Sequence, residues 1–193
     1  MKPLVYFDLE AVGAGETTGL SAPLLRGRML AALHPLFAAQ PHTYALSIPA
    51  GQEAVRKSGG GTLRVFASGR ADLDRLAEAL SRSAWLRDYA HLRYPLAVPA
   101  DYAGPWAAFR RYRVPSLRSD RKAGAEHGQL RQRRMAAMAE ERMDYFILTS
   151  TTTAQRFSLA VWRESGGPPQ GECLPNSYGL CSAHNLFCVP DMP

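Results

Sequence analysis

Apolar residues in the first hundred positions alternate with the period of strands and helices, and this alone divides that part of the chain into elements. Pro3–Leu9, dense in Val, Tyr, Phe and Leu, reads as a strand, followed by a Gly-rich connection from Gly13 to Gly19. Ser21 is placed to cap a helix, and Leu25, Met29, Leu33 and Leu36 recur at helical spacing, predicting a helix over Ala22–Ala39. Pro35 interrupts the pattern. It removes the bond to the Ala31 carbonyl and disfavours helical geometry at His34, so a kink or loosening is expected there. Thr43–Ile48 and Thr62–Ala67 read as strands, the latter with Leu63, Val65 and Ala67 alternating against polar neighbours. Pro49–Gly60 between them reads as a loop, with a turn at Gly59–Gly61. Leu73, Leu76, Leu80 and Ala84 predict one helix over Asp72–Leu86, and Tyr89–Val98 a last extended segment.

The resulting order, β-α-β-β-α-β, is that of interleaved βαβ units forming a four-stranded antiparallel sheet with both helices on one face. This is the ferredoxin-like arrangement, also used by RNA-recognition modules. Pro, Gly and Asp in Ala100–Pro105 mark a boundary, so the expected fold is α+β, with a ferredoxin-like domain over residues 1–104 and a second α+β domain over 105–193. In the second domain Ala108–Val114 reads as extended, Pro115–Asp120 as a turn and Ala125–Arg142 as a helix of good helix formers. Leu130, Arg134 and Met138 form one stripe of that helix and Arg131, Met135 and Ala139 another. Its methionines are therefore expected on the body and its arginines in a groove. Asp144–Thr149 and Gln155–Arg163 form a hairpin tipped by Ser150, Thr151, Thr152 and Thr153; Asn176–Leu180 and Leu186–Val189 read as short extended pieces closing the sheet.

Charge sharpens this picture. Between Phe109 and Arg134, nine cationic side chains (Arg110, Arg111, Arg113, Arg118, Arg121, Lys122, Arg131, Arg133 and Arg134) face only Asp120 and Glu126, so the net +6 of the chain is concentrated in one stretch. A local cationic cluster suits a polyanion, and arginine outnumbers lysine twenty to three; its planar fork binds phosphate or a guanine edge in bidentate fashion. The other reading of such a run is a solvated basic face. No signal peptide or membrane-spanning run is evident, which points to a cytoplasmic protein with no membrane partner. Cys173, Cys181 and Cys188 fit no disulfide framework; with His184 they form at most an atypical zinc set, the basis of an alternative reading as a zinc-stapled structural protein.

No P-loop, HExxH helix or paired-carboxylate constellation is present, and the acids are too scattered for a two-metal site. Chemistry that needs no metal or cofactor remains: RNA carries its own nucleophile, the 2′-hydroxyl, which needs a base, alignment and cations. His34, Ser150 and Tyr178 are candidates for such work, with His42, His91, His127 and His184 as further imidazoles.

The segments LAALHPLFAAQPHTYALSIP, FRRYRVPSLRSD, QLRQRRMA, FILTSTTTAQRFSLAVW and NSYGL resemble, in that order and spacing, the type I-F CRISPR repeat-processing endoribonucleases. The resemblance implies binding of the pre-crRNA repeat hairpin, cleavage at its 3′ base without metal to leave a 2′,3′-cyclic phosphate, and retention in a crRNA-guided surveillance complex with other subunits. It implies His34 as the catalytic histidine, Ser150 as the serine restraining the 2′-hydroxyl, Tyr178 as the active-site tyrosine and Phe157 as the aromatic stacked on the closing base pair. Arg113 matches a base-reading arginine, and Arg131 and Arg133 lie on the groove helix; Arg110, Arg111, Arg118, Arg121 and Arg134 complete the expected RNA-binding set. Pro115 and Ala136–Ala137 depart from the family pattern, as does Pro35. A subunit that binds the hairpin without cutting it, as in a variant or transposon-associated complex, is the alternative.

Overall fold

The computed structural model describes residues 1–12, 20–49, 61–115, 125–141, 143–150 and 153–193, and for 125–128 the backbone only. Arg118, Arg121 and the 50–60 loop lie outside the described residues.

Two antiparallel sheets and the helices packed on them make an α+β architecture. In the first sheet β1 (Val5–Ala11) pairs along its length with β3 (Thr62–Ala67), from Val5 opposite Ala67 to Glu10 opposite Thr62. On the outer side of β3 lies β2 (Ala45–Ser47), and on the other side of β1 lie β4 (Ala90–Leu92) and β5 (Leu96–Ala97). The strand order is thus β2-β3-β1-β4, all neighbours antiparallel. Phe7, Leu9, Leu63 and Val65 lie on one face of this sheet and are buried together with Met29, Leu33, Leu73 and Leu76 of the helices.

Burial of β3 is nearly complete on both faces, so the simple alternation expected of it does not hold. Arg64 accounts for the second face: its Nε and Nη2 donate to the Asp8 carboxylate at 2.7 and 2.8 Å, and its remaining donors reach the carbonyls of Met192 and Pro193. A guanidinium that loses water on folding needs this full set of acceptors. The C-terminal tail is in this way fastened to the first sheet.

Helix α1 (Ala22–Ala39) has the expected bounds and runs through Pro35 without a break. Its buried side chains exceed the predicted stripe, because Arg26 and Gly27 are covered as well as Leu25, Met29, Leu30, Leu33 and Phe37. Those two residues meet the second sheet. A Cβ on Gly27 would lie 1.9 Å from the Ile147 carbonyl oxygen, and Arg26 donates to Asp144 at 2.6 Å. The predicted helix over Asp72–Leu86 is instead two: α2 (Arg70–Ser81) and α3 (Ala84–Tyr89). Ser83 divides them by adopting extended geometry and accepting the Leu86 amide on its side chain, which leaves Ala84 exposed.

The second sheet has the order β7-β8-β6-β9, with β6 (Trp106–Tyr112), β7 (Asp144–Thr149), β8 (Arg156–Gly166) and β9 (Val189–Pro190). Its Phe146, Leu148, Leu159 and Val161 join the same apolar cluster as the first sheet, with α1 between. Asn176–Leu180 is a turn, not the expected extended piece: the Asn176 side chain accepts the amides of Tyr178 and Leu180, and Gly179 has φ of 75°. Helix α4 (Ala125–Glu140) meets the expectation only in part, since Met138 is half-buried whereas Met135 is 44% exposed. Its link to the body is polar: Arg131 donates to the Pro115 carbonyl at 2.6 Å and Arg134 to that of Arg113 at 2.7 Å. Among the described residues no helix is long and apolar enough to cross a membrane.

Candidate nucleic-acid interface and active site

The Asn176 turn places Tyr178 against α1. A Cβ at Gly179 would meet Leu46 and Phe37 side chains at 2.9 Å, and the Leu46 amide donates to the Gly179 carbonyl at 2.8 Å. Glycine is needed twice over, for positive φ and for close approach. With the turn seated there, the Tyr178 ring lies 4.2 Å, centroid to centroid, from the ring of His34 one helical turn before Phe37. Ser177 brings its hydroxyl to 3.4 Å from His34 Nε2. Burial pushes the His34 pKa below its ordinary 6.5, so the imidazole is neutral, and able to accept a proton, at pH 7.

Tyr178 and Ser177 form one wall of an open cleft of about 680 Å³, whose other wall carries Arg110, Arg111, Arg113 and Arg134. Strand β6 sets the first of these along one edge. Arg134 reaches them from α4, with its guanidinium 5.4 Å from the Tyr112 ring centroid. No carboxylate lines this cleft among the described residues, although Arg110 also approaches Glu164 at 3.4 Å outside it. His34 does not itself line the cleft but contacts Tyr178 and Ser177, which do; the four guanidiniums can hold a phosphodiester, and the neutral imidazole can accept a proton.

The other sequence-predicted residues are placed as follows. Ser150 begins the β7–β8 turn, where its Oγ accepts the Thr153 amide at 3.2 Å; it does not line the arginine cleft. Phe157 is half-buried and packs against the apolar core. Arg133 is exposed on α4, while Arg131 is engaged with Pro115. Of the other imidazoles, His42 bonds the Pro175 carbonyl at 2.9 Å. The proposed zinc set does not form: among the described residues no three His, Cys, Asp or Glu side chains are grouped to hold a metal ion. Cys181 instead donates to the Phe187 carbonyl, and Cys173 is buried with its thiol pKa pushed up to about 11. Sequence reasoning missed Tyr112, Asn176 and Ser177. An Asn three residues before a Gly is a turn signal that would have found the last two.

A cleft lined by four arginines, with a histidine packed on the tyrosine of its wall, defines an α+β protein whose charge suits a nucleic-acid backbone. The family model described as CRISPR-associated protein (Cas_Csy4) matches residues 6–191, and the chain belongs to that family, the type I-F CRISPR repeat RNA-processing endoribonucleases. Among curated proteins none matches the chain.

Proposed function

We propose that the protein binds the stem-loop of the pre-crRNA repeat and cuts at its 3′ base without a metal ion, by attack of a 2′-hydroxyl on the adjoining phosphate. His34 removes the proton from the 2′-oxygen as that oxygen bonds to phosphorus. The bond to the 5′-oxygen of the next nucleotide breaks and that oxygen takes up a proton from water, leaving a 2′,3′-cyclic phosphate on the hairpin and a 5′-hydroxyl on the strand released. Tyr178 fixes the imidazole by ring contact and assists near the scissile phosphate; Arg110, Arg111, Arg113 and Arg134 hold the backbone. Arg131 and Arg133 extend this cationic surface along α4, Arg118 and Arg121 are assigned to RNA binding on the resemblance of their segment alone, and Phe157 stacks on the closing pair. After cleavage the protein stays on the crRNA as a subunit of the surveillance complex.

The observation that carries this reading is the contact of His34 with Tyr178 and Ser177, two residues that line the arginine cleft. Ser150 is given the role of restraining the 2′-hydroxyl on the resemblance of its segment and on helix geometry. Gly27, Ala31 and His34 share one stripe of α1, and Gly27 packs on Ile147, three residues before Ser150. From Gly27 to His34 along the helix and from Ile147 to Ser150 along the strand are both about 10 Å. The strand order β2-β3-β1-β4 supports a ferredoxin-like arrangement of residues 1–104, with 105–193 as the hairpin-binding unit packed against it. The test is to incubate the protein with cognate repeat RNA in EDTA and analyse both ends of the cut. A cyclic phosphate on the hairpin product is expected; a 3′-hydroxyl with a 5′-phosphate on the released strand contradicts the mechanism.

A further inference from the structure

Toward the N-terminus of α1 from His34, a second groove of about 450 Å³ lies between the helix and the β7–β8 hairpin. Gly27, Ala31, Ile147 and Leu148 line its floor, and Arg28 and Arg156 line it from opposite elements. Both arginines are exposed, and among the described residues no carboxylate lines the groove. The Arg28 guanidinium lies 5.6 Å from the Trp85 ring centroid, a contact that steadies it without neutralising its charge. Arg156 stands opposite Thr149, immediately before Ser150. Neither arginine belongs to the cleft beside Tyr178.

Position gives this groove its meaning. Ala31 and His34 are neighbours on one helical stripe, so a polymer leaving the imidazole toward the start of α1 passes over Ala31 and into the groove. Thr149, at the groove's other wall, leads directly into the Ser150 turn. The arginine cleft on the Tyr178 side takes the hairpin, which lies upstream of the scissile phosphate. What must leave on the other side is the strand carrying the departing 5′-oxygen. We propose that Arg28 and Arg156 form a second backbone-binding groove for the single-stranded RNA downstream of the cut; the inference rests on the function proposed above. Two guanidiniums over an apolar floor suit a phosphodiester chain read without sequence preference.

The test measures binding rather than cleavage. Two RNAs are compared, the repeat hairpin ending at the cut and the same hairpin with a short single-stranded 3′ extension, made 2′-deoxy at the nucleotide before the scissile phosphate to remove the nucleophile. The parent should bind the extended RNA more tightly, and the Arg28→Ala/Arg156→Ala variant should lose that gain while binding the bare hairpin as the parent does. Each phosphate contact on a single strand contributes about −0.7 to the slope of log K against log salt, so the variant's slope on extended RNA should flatten by about 1.4. The Arg28→Lys/Arg156→Lys variant should retain the steeper slope. Equal gains from the extension in parent and alanine variant overturn the inference while leaving the hairpin reading intact. Failure of the parent to bind either RNA overturns both.

Discussion

His34 is half-buried between a tyrosine ring and a serine hydroxyl, and its environment sets the pH at which it can act. Burial disfavours the imidazolium, so the ring in the folded protein titrates below 6.5. The single-turnover rate should therefore rise about tenfold per pH unit in the acid limb and level off before pH 7. A rate still climbing steeply from pH 7 to 8 would assign the base elsewhere. The same shift makes a small contribution to stability that is present above pH 6.5 and lost as pH falls through the lower folded value. Ser177 orients the ring through one hydrogen bond, worth about 0.5–1.5 kcal/mol. Ser177→Ala should slow cleavage up to about tenfold, the kinetic equivalent of that bond, with hairpin affinity unchanged. Equal loss of affinity and rate would make Ser177 a binding residue instead. Arg64 is a different case, since it is buried while its partner Asp8 is half-buried. Arg64→Ala removes that carboxylate's partner and the bonds to Met192 and Pro193, and denaturant unfolding should show a loss of about 1.5–3 kcal/mol.

At the scale of elements, α1 matters most because it packs on both sheets. The sequence foretold its bounds and, of the predicted stripe of Leu25, Met29, Leu33 and Leu36, the first three are buried and Leu36 half-buried against the core, since apolar residues at helical spacing report a buried face. The second buried face was hidden because Gly27 and Arg26 give no hydrophobic signal; a glycine reads as helix-weakening until the carbonyl it accommodates is seen. In an exposed helix Gly→Ala stabilises by about 1 kcal/mol. Here the added methyl must displace Ile147, so Gly27→Ala should lower the unfolding free energy by about 1–3 kcal/mol and slow cleavage by moving His34 relative to β7. Unchanged or raised stability would contradict the packing of α1 on β7. Thr62–Ala67 and Asp144–Thr149 were legible to the residue, because β-branched and aromatic runs bounded by turn residues leave little freedom. Three elements were misjudged where one or two polar side chains override the apolar period. Ser83 caps and divides α2 from α3, Asn176 folds its own segment into a turn, and Arg131 and Arg134 bond α4 to the body while Met135 stays exposed. The candidate site was legible only in pieces. His34 and Tyr178 stand out through the resemblance of their segments, whereas their contact depends on a turn seated by Gly179 against Leu46.

For the molecule as a whole, positive charge was readable as a run in the sequence, and folding gathers part of it, from β6 and α4, around one open cleft. Hairpin binding that depends on those arginines should weaken steeply with salt, while Arg133→Ala, on the exposed side of α4, should reduce the salt slope by about 0.9 for a duplex phosphate contact. A slope unaffected by that change would place the duplex away from α4. The C-terminal tail is part of the same body, bonded to Arg64 in the first sheet and paired through β9 to the second, so the imidazole and the cleft are held by one continuous core. The central claim is that the His34 imidazole takes the proton from the RNA's own hydroxyl. The most direct measurement is single-turnover cleavage of the cognate repeat hairpin in EDTA by the parent and by His34→Ala, with hairpin binding measured alongside. A rate lowered about 10²–10⁴-fold at unchanged affinity is expected for loss of a general base. His34→Ala cleaving as fast as the parent would contradict the account.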